Sequence, residues 1–187
     1  MEAKPECWVS GCISECESRR DDSNPCVLHH GTWIHRTFTL SRVSHTYTHN
    51  LMHCVFSTKE RRALIGDPEA LWRYTVGLAY QKHVHVIAAG GTTNHVHLLI
   101  LLPQTQTLSK VMQEIKANTS RWLRETSRSF QWQEGYGGFS VSHSQRETVA
   151  GYIANQAEHH RKRSYEEEFI ALLRKSGVEY DPRFVFG

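Results

Sequence analysis

The sequence predicts an α+β fold of the ferredoxin-like, split βαβ type, in which a four-stranded antiparallel sheet carries helices on one face. Beyond residue 44, patterned segments follow one another in the order strand, helix, strand, strand, helix, strand. Gly90 and Gly91 separate two apolar runs and predict a hairpin between the second and third strands. A further helix follows the fourth strand and extends this core toward the C-terminus.

The first half of this domain consists of a strand, a helix and the hairpin. Residues 50–57 form the first predicted strand, and residues 68–83 the first helix, which begins at a proline because proline is favoured in the first turn. Residues 84–89 and 95–102 are the second and third strands. The third strand contains five consecutive aliphatic residues, a length that suits a buried strand and is too short to span a membrane.

The second half begins with an amphipathic helix at residues 107–127, which is followed by a fourth strand at residues 138–142. The helix is predicted by an apolar stripe with i, i+3, i+4, i+7 spacing, formed by Leu108, Val111, Met112, Ile115, Thr119, Trp122 and Leu123. A single helix is predicted for residues 148–160 and a short one for residues 165–176. The aromatic tail is expected to pack back on the domain.

Residues 1–43 differ from the rest of the chain, because they contain four of the five cysteines and have no helical or strand period. One alternative is a small zinc module built on Cys7, Cys12, Cys16 and Cys26. Their spacing lacks the paired C-x2-C knuckles of common zinc sites, and disulfides fit poorly in a reducing compartment. We therefore expect residues 1–43 to be an unstructured or non-native leader, followed by one functional domain at residues 44–187. The codon of Val43 could serve as an alternative initiation codon, in which case translation would start there and the leader would not be part of the natural product.

Composition excludes a membrane protein and leaves nucleic acid open as a partner. No apolar run approaches the ~20 residues of a membrane helix, and the N-terminus lacks the basic and apolar regions of a secretory signal. The chain is therefore expected in the cytoplasm. Its net charge is +3, with seventeen Lys/Arg and thirteen Asp/Glu in residues 44–187. Clustered arginines among aromatic residues suit single-stranded nucleic acid, where bases stack and phosphates pair with cations.

Two histidines, His95 and His97, open the third strand and are the leading candidates for chemistry. Side chains alternate along a strand, so both rings point to one face, while Val96 points to the other. Neutral imidazoles so placed can hold one divalent metal ion; the alternative is a pair of partly exposed strand histidines. His83 and His85 form a second such pair, which the hairpin places far from the start of the third strand.

Five motifs occur in order along residues 44–187. They are His-Asn-Leu-Met-His-Cys-Val-Phe-Ser-Thr-Lys at 49–59, Asn-His-Val-His-Leu-Leu at 94–99, Trp-Gln-Glu-Gly-Tyr at 132–136, Phe-Ser-Val-Ser at 139–142 and Tyr-Ile-Ala-Asn-Gln at 152–156. A His-x-His strand followed by a helix with Tyr-x-x-x-Gln resembles the single-tyrosine HUH transposases of small insertion sequences. The chain looks closest to the REP-associated tyrosine transposases, and the resemblance begins at about Ser44.

The resemblance implies a metal-dependent enzyme that cuts and rejoins single-stranded DNA in transposition. It implies that Tyr152, in a C-terminal nucleophile helix, attacks DNA, and that His95, His97 and Gln156 bind Mg²⁺ or Mn²⁺. Tyr152 would form a 5′-phosphotyrosine and release a 3′-hydroxyl, so that no nucleotide cofactor is needed. A divalent ion would offset the charge of the scissile phosphate, which assists a phenol that is a weak nucleophile at neutral pH.

Basic and aromatic side chains outside this group are candidates for binding DNA. The expected partner is single-stranded or hairpin DNA, bound by one subunit or by a homodimer that shares its active sites, as in some relatives. The candidates are Lys116, Arg121, Trp132, Tyr136, Arg161, Lys162 and Arg163. Phe139 is a further candidate for stacking on a base. The alternative for the cations is a solvated helix face, and the alternative for the aromatic residues is packing in the core or in loops.

Two other functions stay open from the sequence. One is a domesticated protein that binds DNA hairpins without cutting them. The other is a metal-dependent nuclease that uses His95 and His97 without a covalent tyrosine. A Tyr152→Phe variant that does everything the wild type does would favour the first, and metal-dependent products without a protein–DNA adduct would favour the second.

Overall fold

A computed structural model describes residues 26–29, 32–35 and 47–186 of the chain. Two short strands, β1 (Cys26–His29) and β2 (Thr32–His35), form an antiparallel hairpin within the segment predicted as a leader. The sequence pattern indicates no strand there. The candidate zinc ligands Cys7, Cys12 and Cys16 lie outside the described residues, so the zinc and leader hypotheses stay predictions.

A four-stranded antiparallel sheet forms the centre of the fold. Its strands are β3 (Asn50–Ser57), β4 (His85–Gly91), β5 (His95–Leu102) and β6 (Gly137–Ser140), in the spatial order β4-β5-β3-β6. This order, with one helix after β3 and another after β5, is that of a split βαβ fold, and the predicted fold class is confirmed. The two inner strands are buried on both faces, which explains the unbroken aliphatic run of β5.

Two long helices, α1 (Pro68–Gln81) and α2 (Leu108–Thr126), cover one face of the sheet. Asp67 caps α1 by accepting a hydrogen bond from the Ala70 backbone N–H, and Thr107 caps α2 through the backbone N–H of Lys110. The predicted stripe of α2 supplies its buried residues, which are Val111, Met112, Ile115, Thr119 and Leu123. This layer forms the main core and leaves the other face of the sheet for the C-terminal part of the chain.

Three shorter helices cover that second face: α3 (Arg146–Ala154), α4 (Gln156–His159) and α5 (Tyr165–Lys175). The prediction of one continuous helix over residues 148–160 is wrong, because the backbone leaves helical geometry at Asn155, with φ −98° and ψ 22°. The Asn155 side chain donates to the carbonyl of Gly151, a local hydrogen bond of the kind that competes with the helical ladder. The break reorients the chain between Tyr152 and Gln156.

The C-terminal tail packs against α5 and β6, as predicted. Tyr180, Val185 and Phe186 join the apolar cluster of Val55, Phe139 and Tyr165, and Arg61 Nη1 donates to the Phe186 carbonyl at 3.2 Å. Over residues 47–186, none of the helices is both long enough and apolar enough to cross a membrane.

Candidate active site

Three buried histidines lie on the sheet face that the C-terminal helices cover. His95 and His97 come from β5 and His53 from β3, whose antiparallel pairing brings their side chains to the same face. Val96 points into the opposite core, as the alternation of a strand predicts. His85 pairs with Leu101, near the other end of β5, so the second His-x-His pair lies apart from this cluster.

His53 orients the ring of His97. Its Nε2 lies 2.9 Å from Nδ1 of His97. Burial, together with the neighbouring His97, lowers the pKa of His53 to about 3, so His53 is neutral and one proton lies between its Nε2 and Nδ1 of His97. Nδ1 of His97 is thus engaged, whereas its Nε2 is buried without a hydrogen-bond partner. Metal-binding histidines are commonly oriented by a partner at the other nitrogen in this way.

The turn that precedes β5 engages Nδ1 of His95 in the same way. Its Nδ1 lies 2.7 Å from Oδ1 of Asn94 and 3.0 Å from the hydroxyl of Thr92. The Asn94 amide is itself fixed, because its Nδ2 donates to the Arg61 carbonyl. Burial and the neighbouring His97 and His160 lower the pKa of His95 and keep it neutral. Its Nε2 faces the same point as that of His97.

A buried carboxylate, Glu168 of α5, occupies that point. Its Oε2 lies 3.0 Å from Nε2 of His160, 3.4 Å from that of His97 and 3.9 Å from that of His95. Its Oε1 accepts a hydrogen bond from the Gln156 amide at 3.0 Å. Burial alone would raise the pKa of Glu168, but the contacts with His160 and His97 outweigh burial and hold this pKa well below its usual range. Glu168 is therefore an anion.

Tyr152 brings its phenol to the same carboxylate. It lies half-buried on α3, and its hydroxyl donates to Oε1 of Glu168. Its ring stands edge-on to those of His97 and His53, with centroid distances of 6.0 and 6.2 Å. Burial and the hydrogen bond to Glu168 raise the pKa of Tyr152, so the phenol keeps its proton at neutral pH. The candidate nucleophile and the candidate metal ligands thus share one pocket within one chain.

Gln156, the third ligand implied by the resemblance, reaches the cluster in spite of the helix break. Its Oε1 lies 3.4 Å from Nε2 of His95, and its Nε2 holds Glu168. The side chain is 1% exposed, so both ends of the amide are used inside the protein. Gln156 therefore lies between one histidine and the carboxylate.

Sequence reasoning missed three members of this cluster: His53, His160 and Glu168. Glu168 lies in a run of three glutamates in the first turn of α5, where acidic residues usually interact with the helix dipole. The available signal is its position in the helix, since Tyr165 and Leu172 lie three residues before and four after it on the apolar face. His160 was obscured by the basic residues that follow it, and His53 by the apolar strand around it.

Comparison with known proteins identifies the family. Residues 46–156 match the family model for IS200-like transposases, which is more than half of the chain. The chain belongs to the IS200-like transposases. None of the curated proteins searched matches it.

Two solved structures have the fold of this IS200-like transposase. One is an inferred transposase from Deinococcus radiodurans R1, 20% identical, with a TM-score of 0.50 over 63% of this chain and 98% of that one. The other is a REP-associated tyrosine transposase bound to a REP hairpin, 16% identical, with a TM-score of 0.50 over 65% of this chain and 74% of that one. The predicted family of transposases is confirmed by the IS200-like family match, and the REP-associated structure shares the predicted fold.

The predicted DNA-binding residues of this transposase form two groups. Lys116, Arg121 and Trp132 line an open cavity of about 580 Å³ on the exposed side of α2. The ammonium of Lys116 donates to the backbone carbonyls of Gln133 and Gly135, so it holds the loop before β6 as well as adding charge. Arg121 is exposed in this cavity.

The aromatic candidates differ in how much of each ring is available. Trp132 is half-buried and packs edge-on against Phe56 and Phe130, with ring centroids 4.8 Å away in both cases. Tyr136 is 38% exposed and can meet a base. Phe139 is buried beneath α5, so core packing is the correct interpretation for that ring.

The second group, Arg161, Lys162 and Arg163, follows the candidate site directly. The carbonyl of Arg163 accepts a hydrogen bond from Nδ1 of His160 at 2.9 Å. Lys162 and Arg163 line an open cavity of about 570 Å³ together with Arg174. Arg161 is exposed and pairs with Glu158 at 2.9 Å. Positive charge therefore begins next to the histidine cluster.

Proposed function

We propose that this IS200-like transposase cuts and rejoins single-stranded DNA through a covalent phosphotyrosine at Tyr152. The observation that carries the proposal is the shared carboxylate, because the Tyr152 hydroxyl and Nε2 of His97 both lie against Glu168. A nucleophile and the group that holds an electrophilic ion must act on one phosphate, so they must lie within one pocket. A tyrosine that served only in packing would have no need of this position.

The proposed reaction exchanges one phosphodiester for another. The Tyr152 oxygen bonds to phosphorus while the bond from phosphorus to the 3′-oxygen breaks, which leaves a 5′-phosphotyrosine and a 3′-hydroxyl. Glu168 is the carboxylate that accepts the hydrogen bond of the phenol and so orients its proton, which the phenol loses as the new bond forms. That proton ends on the departing 3′-oxygen. A later attack by a 3′-hydroxyl reverses these bonds and rejoins the strand without a nucleotide cofactor.

His95 and His97 are proposed to hold a divalent ion, Mg²⁺ or Mn²⁺, with Gln156 beside them. The residues fit this role, because both imidazoles have Nδ1 occupied and present Nε2 to a common point. When bound, such an ion offsets the charge of the scissile phosphate and polarises phosphorus. The protein supplies the position and the tautomers.

Single-stranded or hairpin DNA is the proposed substrate. Arg161, Lys162 and Arg163 lie next to the site and are proposed to bind the backbone close to the cut. Lys116, Arg121, Trp132 and Tyr136 are proposed as a second contact, where an aromatic ring beside cations suits an unpaired base. Since Tyr152 meets the histidines of its own chain, we propose that one subunit can complete a site, so a homodimer is not required for chemistry.

The test is a covalent adduct with hairpin-containing single-stranded DNA in the presence of Mn²⁺. We expect the wild type and Tyr80→Phe, which alters an exposed tyrosine of α1, to form an adduct that mass analysis maps to Tyr152. Tyr152→Phe removes one oxygen and should bind the DNA without forming an adduct. An adduct in Tyr152→Phe would mean that the nucleophile is another residue.

The two alternative functions give different results in the same assay. Metal-dependent cleavage without any adduct would indicate a nuclease that uses water. Binding without cleavage, equal in the wild type and Tyr152→Phe, would indicate a protein that only binds hairpins.

A further inference from the structure

A third imidazole has the same arrangement as His95 and His97. The Nδ1–H of His160 donates to the Arg163 carbonyl at 2.9 Å, and its Nε2 points to Glu168. Each of the three rings therefore has Nδ1 engaged by a neighbour and directs Nε2 to one carboxylate oxygen. This is the orientation in which histidines bind metal ions, because a partner that occupies Nδ1 leaves the lone pair of Nε2 to bind the metal.

The spacing of these donors fits a single ion. Bonds of about 2.1 Å in a tetrahedral site separate the donor atoms by about 3.4 Å. The three distances from Oε2 of Glu168 to the imidazole nitrogens are 3.0, 3.4 and 3.9 Å, which lie on both sides of that value. All four donor atoms lie within 4.8 Å of one another. Small side-chain rotations would bring them to bonding positions.

We infer that His160 and Glu168 complete a metal site with His95 and His97, and that this site prefers transition-metal ions to Mg²⁺. Three imidazoles and one carboxylate suit Zn²⁺ and other transition-metal ions, whereas Mg²⁺ is bound by oxygen ligands in near-ideal octahedral geometry. Of the two ions proposed for the reaction, Mn²⁺ is therefore favoured. Zn²⁺ should bind more tightly than Mn²⁺, as the general order of affinities requires.

A buried ion pair between His160 and Glu168 is the competing explanation of the cluster. It accounts for the 3.0 Å contact between these two side chains. However, it leaves Nε2 of His97 buried and without a hydrogen bond, an arrangement that costs free energy in a folded protein. A bound ion gives this nitrogen a partner and also balances the charge of Glu168. The metal site thus explains an atom that the ion pair does not.

Gln156 has a supporting role in this site. Its Nε2 donates to Oε1 of Glu168, the oxygen that also receives the Tyr152 hydroxyl, and so leaves Oε2 for the ion. Gln156 is then a positioning residue for the carboxylate. The inference rests on the metal site of the proposed function and not on the identity of the nucleophile, so the two can be tested separately.

The experiment is a titration of the metal-stripped full chain with Mn²⁺, in which free Mn²⁺ is measured by electron paramagnetic resonance. We expect one ion per chain, and no displacement by a tenfold excess of Mg²⁺. Glu168→Gln and His160→Ala should each lower the affinity for Mn²⁺ by about tenfold or more, and Gln156→Ala by less than Glu168→Gln. His143→Ala is the control, since His143 is an exposed histidine outside the group of four donors.

The inference is overturned if Glu168→Gln and His160→Ala bind Mn²⁺ like the wild type while Gln156→Ala loses it. That outcome would leave the proposed function intact with His95, His97 and Gln156 as ligands. If adducts persist in Tyr152→Phe but the titration gives the expected order, the proposed function fails and this site stands.

A second measurement avoids variants that fail to fold. In the wild-type chain with ¹⁵N-labelled histidine, Zn²⁺ should shift the Nε2 resonances of three imidazoles. The resonance of His160 is assigned by its absence from the His160→Ala spectrum or by its through-space contacts with neighbouring residues. Shifts of only two imidazoles, those of His95 and His97, would contradict the inference.

Discussion

A single methyl group added at Gly90 should separate the two halves of the active site. Gly90 lies on β4 directly opposite His97, and α3 crosses over it. A Cβ atom at this position would lie 2.2 Å from the Ile153 carbonyl oxygen and 2.9 Å from Cγ2 of the same residue. Because Ile153 follows Tyr152, Gly90→Ala acts on the helix that carries the proposed nucleophile, without touching any proposed metal ligand.

The size of the effect follows from that distance. The contact needs roughly 1 Å more before it reaches even a tight van der Waals separation, and the obstacle is backbone, which cannot rotate away. Overpacking of this kind costs about 1–3 kcal/mol of stability. If α3 moves out by this amount, Tyr152 moves with it, and a misplacement of about 1 Å can lower the rate of a chemical step by about 10²-fold.

Gly151→Ala is the matched control, since it lies on the same helix and an added Cβ there meets nothing within 4 Å. It should stabilise the protein by roughly 0.5–1 kcal/mol through helix propensity. Stability is measured by urea unfolding, and chemistry by the rate of adduct formation in a single turnover. If Gly90→Ala is as stable as the wild type and forms the adduct at the same rate, the proposed packing of α3 on β4 is wrong.

Three further predictions concern the metal, the substrate and the leader. His53→Phe keeps an aromatic ring but cannot hydrogen-bond Nδ1 of His97, so Mn²⁺ affinity should fall by about 10- to 100-fold; an unchanged titration would remove His53 from the site. Hairpin DNA with a single-stranded flank should bind far better than blunt duplex, and Arg163→Ala should weaken this binding at low salt; equal affinity for duplex across a salt titration would count against the stacking surface. Deleting residues 1–42 should leave adduct formation intact, since the family match begins at residue 46; loss of cleavage, or one zinc ion bound by the leader, would refute this.

Local patterns in the sequence were sufficient for the sheet. The predicted bounds of β3 and β5 agree with the structure residue for residue, because β5 is a continuous apolar run that ends at Pro103 and β3 is a largely apolar run that ends at a polar loop. The helices α1 and α2 lie within two residues of prediction, since Pro68 and Thr107 mark their starts. These signals are local, and so they can be recognised without knowing the tertiary structure.

The site was only partly predictable, for a physical reason. His95 and His97 share a face because of the period of a strand, and that period is visible in the sequence. Glu168 and His160 join them only because α5 folds back over the sheet after the break at Asn155, a long-range event without a local pattern. The one local feature of the sequence that indicates this packing is a carboxylate, Glu168, on the apolar face of a helix.

The two halves of the site should differ in the free energy needed to open them locally, because one half lies on a central strand and the other on a short helix. His95 and His97 lie on β5, whose backbone is hydrogen-bonded on both sides, so their amides should exchange with solvent deuterium only when the whole domain unfolds. Tyr152 lies on a helix of nine residues, which is too short to persist once it leaves the sheet. The amides of this helix should exchange through a local opening that costs less free energy than unfolding of the whole domain. If Tyr152 forms the proposed phosphotyrosine, this opening would let the phenol and the joined DNA strand move away from His95 and His97 and return, while β5 keeps its shape between cutting and rejoining.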